Sequence, residues 1–273
     1  MISHRVRRQP DQLNSLKSVY FVKLRSRAAI NSDHVHLFPF GVNFEKFARA
    51  KSTTPPQDLG ELSKPIVGYV GGIHKWIDFE LLSGLAKRLP QTSFVLVGPI
   101  QTDTSALTDC PNIHLLGARR HDELPRYIGA FDVGIVPYVL SDYTANVYPT
   151  KLNEYLAMGI PVVATDLLEI RRFNKNHDGA VTVAMDVDAF EAAILTVQQQ
   201  TSEKERTRRI AVAEENSWES RIERMSGVIE ESIQRKVVVE ERWDERLRLL
   251  YRRHRRRVTA AVIAVVASYT LVF

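Results

Sequence analysis

The sequence predicts an α/β fold built on a doubly wound parallel sheet, with a long helical extension towards the C terminus. Six short apolar runs recur between residues 66 and 183, and continuous apolar runs are typical of strands covered on both faces. Helical patterns alternate with these runs, which favours parallel strands joined by crossover connections. Glycine or proline follows four of the runs, at the carboxyl edge where such sheets bind ligands.

The secondary-structure elements are predicted in the following order. Residues 16–29 carry a helical pattern, and residues 35–38 form a short strand. The strands of the sheet are predicted at 66–70, 93–97, 113–116, 133–136, 161–164 and 180–183. The helices that accompany them are predicted at 78–89, 122–130, 149–158 and 186–200. Beyond them, residues 202–257 interleave charges of opposite sign, which usually indicates a solvated helix.

Changes in composition divide the chain into five parts. Residues 1–50 have the character of the end of a preceding unit, and residues 51–64, which hold serine, threonine and proline, indicate a linker. Residues 65–200 form the α/β domain. A charged helical extension follows at 201–257, and an uncharged tail at 258–273.

Composition excludes several classes of protein. The 273 residues are 44 % apolar and 25 % charged, which is ordinary for a globular protein. The net charge of +5 comes from arginines near both ends, so we expect no nucleic-acid partner for the balanced middle of the chain. Cys110 is the single cysteine, so a disulfide framework within the chain is excluded and a reducing, cytoplasmic compartment fits. A secretory signal requires an apolar run after its first basic residues, and none follows the first arginines of this sequence.

The tail at 258–273 has no charged residue, and five arginines lie in the preceding run 252–257. As a helix the tail is about 24 Å long, whereas a bilayer core is about 30 Å thick. Four alternatives stay open: a tail anchor, an interfacial helix, a membrane segment cut off by the chain end, and a buried final helix. The arginines favour contact of 252–273 with the cytoplasmic face of the plasma membrane.

The segment around Lys151 carries the strongest chemical signal. Pro149 and Thr150 stand at a predicted helix start, and Lys151 falls in the first turn, where the helix dipole disfavours a cation. An anion such as a diphosphate, held between Lys151 and the backbone N–H groups, explains this placement. Glu154 lies on the same face, and a carboxylate accepts the two hydroxyl groups of a ribose. The alternative is a Lys151–Glu154 surface pair, in the less favourable order for a helix.

Other candidate residues follow the predicted strands. Gly71 and Gly72 come after the first strand, and glycines allow a backbone to approach phosphate closely. The spacing of a dinucleotide fingerprint is absent, and an ordinary turn is the alternative. His74 and Lys75 follow directly. Either these two residues supply positive charge to the site, or their side chains are solvated. The same rim is predicted to include Gly98, Pro99, Pro137 and Tyr138.

Several sequence blocks together resemble the C-terminal, Rossmann-like domain of GT-B glycosyltransferases, closest to the bacterial family 4 type that builds exopolysaccharides and other cell-surface glycans. The resemblance covers roughly residues 35–235. Its blocks are GYVGGI (68–73), WIDFELL (76–82), FVLVGP (94–99), NIHLLG (112–117), LPRY (124–127), FDVGIVP (131–137) and PTKLNEYLAMGIPVVAT (149–165).

The resemblance implies a retaining hexosyltransferase that binds a UDP- or GDP-linked sugar and transfers the sugar to a glycan or lipid-linked acceptor. Gly72 is then expected to face the donor phosphates, Lys151 to bind the diphosphate, and Glu154 to bind the ribose. The family needs no cofactor and no metal ion for the transfer itself. Many members carry a glutamate near the sugar eight residues before Glu154, where this sequence has Asn146. An asparagine still bonds to sugar hydroxyls but is not a carboxylate.

The residues that resemble the interdomain segment begin near Phe38, with about forty residues before them. In complete members well over a hundred precede it, so we expect the acceptor-binding domain to be almost wholly absent here, and a partner chain to supply it. Two other hypotheses stay open. One is a non-catalytic sugar-nucleotide-binding or membrane-attached assembly subunit. The other is a sugar-nucleotide 2-epimerase, which the need for two domains on one chain disfavours.

Overall fold

The structure is a computed structural model, and it describes residues 36, 38–50, 54–200 and 202–272. The side chains of 237–241 and 270–272 are outside that description. The predicted helix at 16–29 lies outside the described residues, as does much of the predicted strand at 35–38. Two compact units are present, one up to Arg221 and one from Ile222 onwards.

The first unit is built on a parallel sheet of six strands, in the order β3-β2-β1-β4-β5-β6. All the strands lie in the predicted places, within two residues at either end. They are β1 (Ile66–Val70), β2 (Ser93–Val97), β3 (Ile113–Gly117), β4 (Val133–Val136), β5 (Val162–Thr165) and β6 (Thr182–Ala184). The chain runs outwards from β1 in one direction and from β4 in the other. This is a doubly wound sheet, so the predicted fold class is confirmed.

Nine α-helices accompany the sheet in the described part of the chain. They are α1 (Phe44–Arg49), α2 (Gln57–Gly60), α3 (Phe79–Arg88), α4 (Leu124–Ile128), α5 (Lys151–Ala157), α6 (Leu168–Asn176), α7 (Val187–Gln199), α8 (Glu203–Glu215) and α9 (Trp218–Val272). Two short 3-10 helices lie at Ser105–Leu107 and Thr144–Asn146. Side chains define several helix starts, because Asp78 and Asp186 accept hydrogen bonds from the first-turn N–H groups of α3 and α7.

The core lies on the two faces of the central strands, and every residue of β1, β2, β4 and β5 is buried. Gly68 and Gly134 face each other across β1 and β4. A Cβ atom at Gly68 would lie 2.1 Å from the Phe131 ring, and one at Gly134 would lie 2.6 Å from the Tyr155 ring. These glycines therefore let two aromatic rings pack directly on the backbone of the sheet.

The long charged stretch after residue 201 differs from the prediction of one solvated helix. The helix is interrupted between α8 and α9, where the backbone of Val42 bonds to the connecting residues. Val42 N–H donates to the Asn216 carbonyl, and Trp218 N–H donates to the Val42 carbonyl. Backbone groups that pair with another segment are not free to continue a helix. In α8, Arg209 is buried and its Nε donates to the carbonyl of Gly159 over 2.9 Å. The solvated reading was wrong for this helix.

The second unit is the remainder of α9. Most of its described apolar side chains are exposed, including Val258, Val262 and Tyr269. Within the residues that the structure describes, no helix combines the length and the apolar character that a bilayer crossing needs.

Candidate functional site

The candidate residues lie at the topological switch point of the sheet, between β1 and β4, where the order of the strands reverses. β1 leads to β2 on one side, whereas β4 leads to β5 on the other, so the loops after β1 and β4 separate and leave a crevice. Ligands of open α/β sheets bind in this crevice, outside the carboxyl ends of the strands. Gly71 directly follows β1 here, and Tyr138 stands just beyond β4.

Lys151 is the central charge of this crevice. It is the first residue of α5, with its side chain only 9 % exposed. Its Nζ donates to the Tyr138 hydroxyl over 2.5 Å and lies 4.9 Å and 5.0 Å from the ring centres of Tyr69 and Tyr138. Among the described residues no carboxylate forms an ion pair with Lys151, so the predicted alternative of a Lys151–Glu154 pair was wrong. A buried ammonium group held only by neutral partners is ready to accept an anion.

The pKa values of the two tyrosines shift in opposite directions. The pKa of Tyr138 lies below its ordinary value: burial raises it, and the charge of Lys151 and the hydrogen bond that Lys151 donates are the main opposing effects. Burial, together with the neighbouring Tyr138, raises the pKa of Tyr69 well above its ordinary value. Tyr69 therefore stays protonated, and its hydroxyl donates to the Gly72 carbonyl over 3.2 Å.

The glycine loop after β1 approaches both Lys151 and the end of β2. A Cβ atom at Gly71 would lie 3.1 Å from Lys151 Cε, and Gly71 has a φ of 140°. A Cβ atom at Gly98 would lie 1.9 Å from the Gly71 carbonyl oxygen. Gly71 N–H donates to Val97, and Gly98 N–H donates to Gly117. Glycine at both positions lets the loop lie against β2, with its backbone beside the lysine.

The cationic residues after Gly72 are placed differently. His74 is half-buried, its ring centre lies 6.2 Å from that of Tyr138, and burial followed by the charge of Lys151 lowers its pKa. His74 is therefore a neutral hydrogen-bonding group beside the site. Lys75 is exposed and its Nζ lies 4.9 Å over the Trp76 ring, which stacks on Tyr143. No described contact joins Lys75 to Lys151.

The remaining strand-end and helix-start residues shape the crevice through the backbone. The Pro137 carbonyl accepts from Asp78 N–H, which anchors the start of α3. Pro149 is buried and its carbonyl accepts from Leu152 N–H. Thr150 is exposed and precedes α5 without capping it through its side chain. The helix start is thus not capped by a side chain of its own.

Glu154 lies one turn along α5, with its side chain 18 % exposed. Burial raises its pKa, and electrostatic interactions with Lys151, His121 and Lys46, in that order, oppose the rise. His121 Nε2 lies 3.9 Å from Glu154 Oε1. Among the described residues, no hydrogen bond to the Glu154 carboxylate is formed, so its acceptor sites are available to a ligand.

Asn146 ends the 3-10 helix Thr144–Asn146, and its Nδ2 donates to the Asp142 carbonyl over 3.0 Å. No described contact joins it to Lys151 or Glu154. The crevice as described therefore brings together Lys151, Tyr138, Gly71 and His74, whereas Asn146 and Lys75 make their contacts elsewhere.

Sequence reasoning missed four residues of this neighbourhood. Tyr69 and Tyr155 were not singled out, although Tyr155 OH accepts the Val70 N–H over 2.8 Å and so fixes the end of β1. A tyrosine within an aliphatic strand was the available signal for Tyr69. His121 and Lys46 come from distant parts of the sequence, and no spacing pattern marks them. Within the described residues, no cluster of three histidine, cysteine, aspartate or glutamate side chains is arranged to hold a metal ion.

The fold and the site define a doubly wound, Rossmann-like α/β domain with a buried cation at its topological switch point. The sequence profile of the family described as glycosyl transferases group 1 matches residues 64–200. That match covers half of the chain, and the chain belongs to this family. The resemblance to the C-terminal domain of GT-B glycosyltransferases is thereby confirmed.

Individual relatives agree with the family. The chain is 29 % identical over 177 residues to the putative teichuronic acid biosynthesis glycosyltransferase TuaH of Bacillus subtilis (strain 168), a match that covers 63 % of this chain and 45 % of TuaH. Among solved structures, it resembles HepE of Anabaena in complex with UDP and glucose, with a TM-score of 0.55, 15 % identity, and coverage of 70 % of this chain and 55 % of HepE. Sucrose-phosphate synthase of Thermosynechococcus elongatus also has a TM-score of 0.55, with 19 % identity and coverage of 86 % and 64 %. At these identities the structural likenesses show the fold alone.

Proposed function

We propose that this chain is the donor-binding domain of a hexosyltransferase that uses a UDP- or GDP-linked sugar. The observation that carries the proposal is Lys151, a buried ammonium group without an anionic partner among the described residues, at the switch point of a sheet that belongs to a glycosyltransferase family. The name of the HepE structure states that HepE binds UDP and glucose, which supports a nucleotide-sugar as the ligand here.

In this proposal the diphosphate of the donor lies between Lys151 and the Gly71–Gly72 backbone, and Glu154 accepts the ribose hydroxyls. When the sugar is transferred, negative charge develops on the departing diphosphate. Lys151 stabilises that charge, because a fixed cation in a partly desolvated site interacts strongly with it. Gly72 carries no side chain that blocks the approach of a phosphate.

The name of one relative supports the choice of acceptor. The name of TuaH places it in teichuronic acid biosynthesis, so we infer a cell-surface glycan, lipid-linked or polymeric, as the acceptor of the present enzyme. The chain spans 45 % of TuaH and 55 % of HepE. In the proposal, an acceptor-binding part beyond the described residues completes the enzyme, on this polypeptide or on a partner chain.

Calorimetric titration with UDP and GDP tests the donor site. Lys151→Ala removes a charge-assisted bond of about 1.5–3 kcal/mol, so we expect affinity to fall roughly 10- to 150-fold. Lys87→Ala, which changes an exposed lysine of α3, is the matched control and is expected to bind as the unchanged chain does. Equal affinity of Lys151→Ala and Lys87→Ala would contradict the site assignment.

A non-catalytic subunit is the second candidate function, and Asn146 favours it. The family resemblance implies a glutamate at this position, and the Asn146 amide donates to the Asp142 carbonyl. Release of UDP from a UDP-sugar in the presence of the acceptor-binding part separates the two functions. Binding without turnover would support the subunit, whereas turnover would exclude it.

We further propose that residues 252–273 attach the chain to the cytoplasmic face of the plasma membrane. Arginine occupies five of the six positions 252–257, and the described side chains of Val258, Val262 and Ile263 beyond them are exposed. Basic residues beside an anionic bilayer contribute about 1 kcal/mol each, and the apolar side chains supply burial in the interface.

Vesicle sedimentation tests this attachment. We expect strong binding to vesicles that contain phosphatidylglycerol, weak binding to pure phosphatidylcholine, and loss of binding at high salt. Replacement of the five arginines by glutamine is expected to abolish the preference for anionic lipid. Equal binding to both vesicle types, or no effect of the arginine replacements, would exclude the proposed attachment.

A further inference from the structure

Three polar side chains from separate parts of the chain form a row that ends at Glu154. Lys46 lies in α1, before the residues that the family profile matches, and His121 lies in the loop before α4. Lys46 Nζ lies 2.6 Å from His121 Nδ1 and donates to the His121 carbonyl oxygen over 2.7 Å. His121 Nε2 lies 3.9 Å from Glu154 Oε1.

The donors and acceptors of this row have a defined direction. An ammonium group only donates, so Nδ1 of His121 accepts from Lys46. The proton of the neutral imidazole is then on Nε2, on the side of Glu154. The bond from Lys46 to the His121 carbonyl fixes the loop as well as the ring. The His121 Nε2–H group therefore faces the Glu154 carboxylate, and the bond from Lys46 to Nδ1 fixes the orientation of the ring.

α1 is itself firmly attached to the domain. Phe47 is 1 % exposed, and its ring meets the His121 ring edge to face with the centres 6.4 Å apart. Asn43 caps α1 by accepting from the N–H of Lys46. The position of Lys46 thus follows from packing and capping, and does not depend on its exposed bond to His121.

Glu154 has little else to hold it. Its carboxylate accepts no hydrogen bond from the described residues, and burial disfavours its charged form. The groups that oppose this effect, largest first, are Lys151, His121 and Lys46. Lys151 donates to Tyr138, so among the described residues the row from Lys46 is the remaining support for the carboxylate.

We propose that Lys46 and His121 are positioning residues that hold Glu154 towards the ribose of the donor, so that the segment before the family-matched region takes part in donor recognition. This inference rests on the proposed donor-binding function. Both residues act through Glu154 and are not assigned a contact with the diphosphate. The separation of 3.9 Å between His121 and Glu154 closes to a hydrogen bond when the carboxylate turns to accept the ribose hydroxyls.

A comparison of UDP with 2′,3′-dideoxy-UDP by calorimetry tests the inference. The unchanged chain is expected to prefer UDP, and Glu154→Ala to lose this preference. His121→Ala and Lys46→Met are expected to reduce the preference by about two- to fivefold, because the row is partly exposed and screened by solvent. Lys46→Arg keeps a donor to Nδ1 and is expected to restore the preference. Lys87→Met, on an exposed part of α3, is the control for loss of a surface charge.

The outcomes separate this inference from the proposed function. If the unchanged chain binds neither nucleotide, the donor-binding function is wrong. If it prefers UDP and His121→Ala and Lys46→Met keep that preference in full, Lys46 and His121 do not position Glu154. If His121→Ala weakens UDP and dideoxy-UDP by the same factor, His121 contacts another part of the nucleotide and the positioning role is also excluded. The His121 side chain is 65 % exposed, so its replacement is expected to leave the melting temperature unchanged.

Discussion

Replacement of Gly98 by alanine perturbs the contact that holds the glycine loop against β2. The added Cβ would lie 1.9 Å from the Gly71 carbonyl oxygen and 2.6 Å from its carbonyl carbon. Carbon and oxygen atoms that are not bonded approach to about 3.3 Å, so the two backbones must separate by about 1.4 Å. Hydrogen bonds from Gly71 to Val97 and from Gly98 to Gly117 oppose this movement.

The magnitude follows from these contacts. Overpacking of a close-packed region costs about 1–3 kcal/mol, and a weakened backbone hydrogen bond adds about 1 kcal/mol. We therefore expect Gly98→Ala to lower the free energy of unfolding by about 2–4 kcal/mol. Because the displaced loop lies beside Lys151, the affinity for UDP is expected to fall as well.

Urea denaturation followed by tryptophan fluorescence measures the stability, and calorimetry measures the affinity. Gly60→Ala is the matched control, because a Cβ atom at Gly60 meets nothing within 4 Å, and its effect is expected to stay within about 0.5 kcal/mol. If Gly98→Ala is as stable as Gly60→Ala and binds UDP equally well, the close approach of Gly98 to Gly71 does not determine the position of the glycine loop.

Three further changes test individual contacts. Tyr155→Phe leaves the buried Val70 N–H without its acceptor, so urea denaturation is expected to show a loss of about 1–3 kcal/mol; an unchanged midpoint would exclude this contact. Arg209→Met removes the donor to the Gly159 carbonyl, and a loss of similar size is expected in the same assay. Glu154→Gln tests the raised pKa of Glu154. A carboxyl group whose pKa is higher in the folded chain stabilises the fold at acidic pH and loses that contribution as the pH rises through its folded-state pKa. Glu154→Gln is thus expected to be more stable than the unchanged chain at pH 7, and the difference to vanish below about pH 4.

The strands were predicted within two residues because each is a continuous apolar run between breakers, and burial on both faces leaves this pattern directly in the sequence. Helix ends were less accurate. The helix predicted from Pro149 begins at Lys151, since local turn geometry decides where the regular pattern starts. The break between α8 and α9 was not predicted, because the pairing of Val42 with Ser217 joins residues that are far apart in the sequence.

The candidate site was predicted in part. Lys151 and Glu154 were identified from helix electrostatics and from the family resemblance, and their role in binding a donor stays a prediction. The cage of Tyr69 and Tyr138 around Lys151 was not identified, because periodicity does not distinguish a tyrosine that packs in the core from one that contacts a cation. Lys75 was grouped with His74 by adjacency alone, and the structure places its ammonium group over Trp76.

The sequence by itself determined the class of fold, the order of the strands along the chain and the edge at which the candidate residues lie. These properties depend on local periodicity and on glycine and proline at strand ends, which neighbouring residues encode. The tertiary structure decided which side chains meet Lys151 and Glu154. Tyr138 joins Lys151 across a loop, and Lys46 reaches Glu154 through His121 over more than a hundred residues. Such contacts arise only when the sheet brings distant segments to one edge, so no local pattern records them.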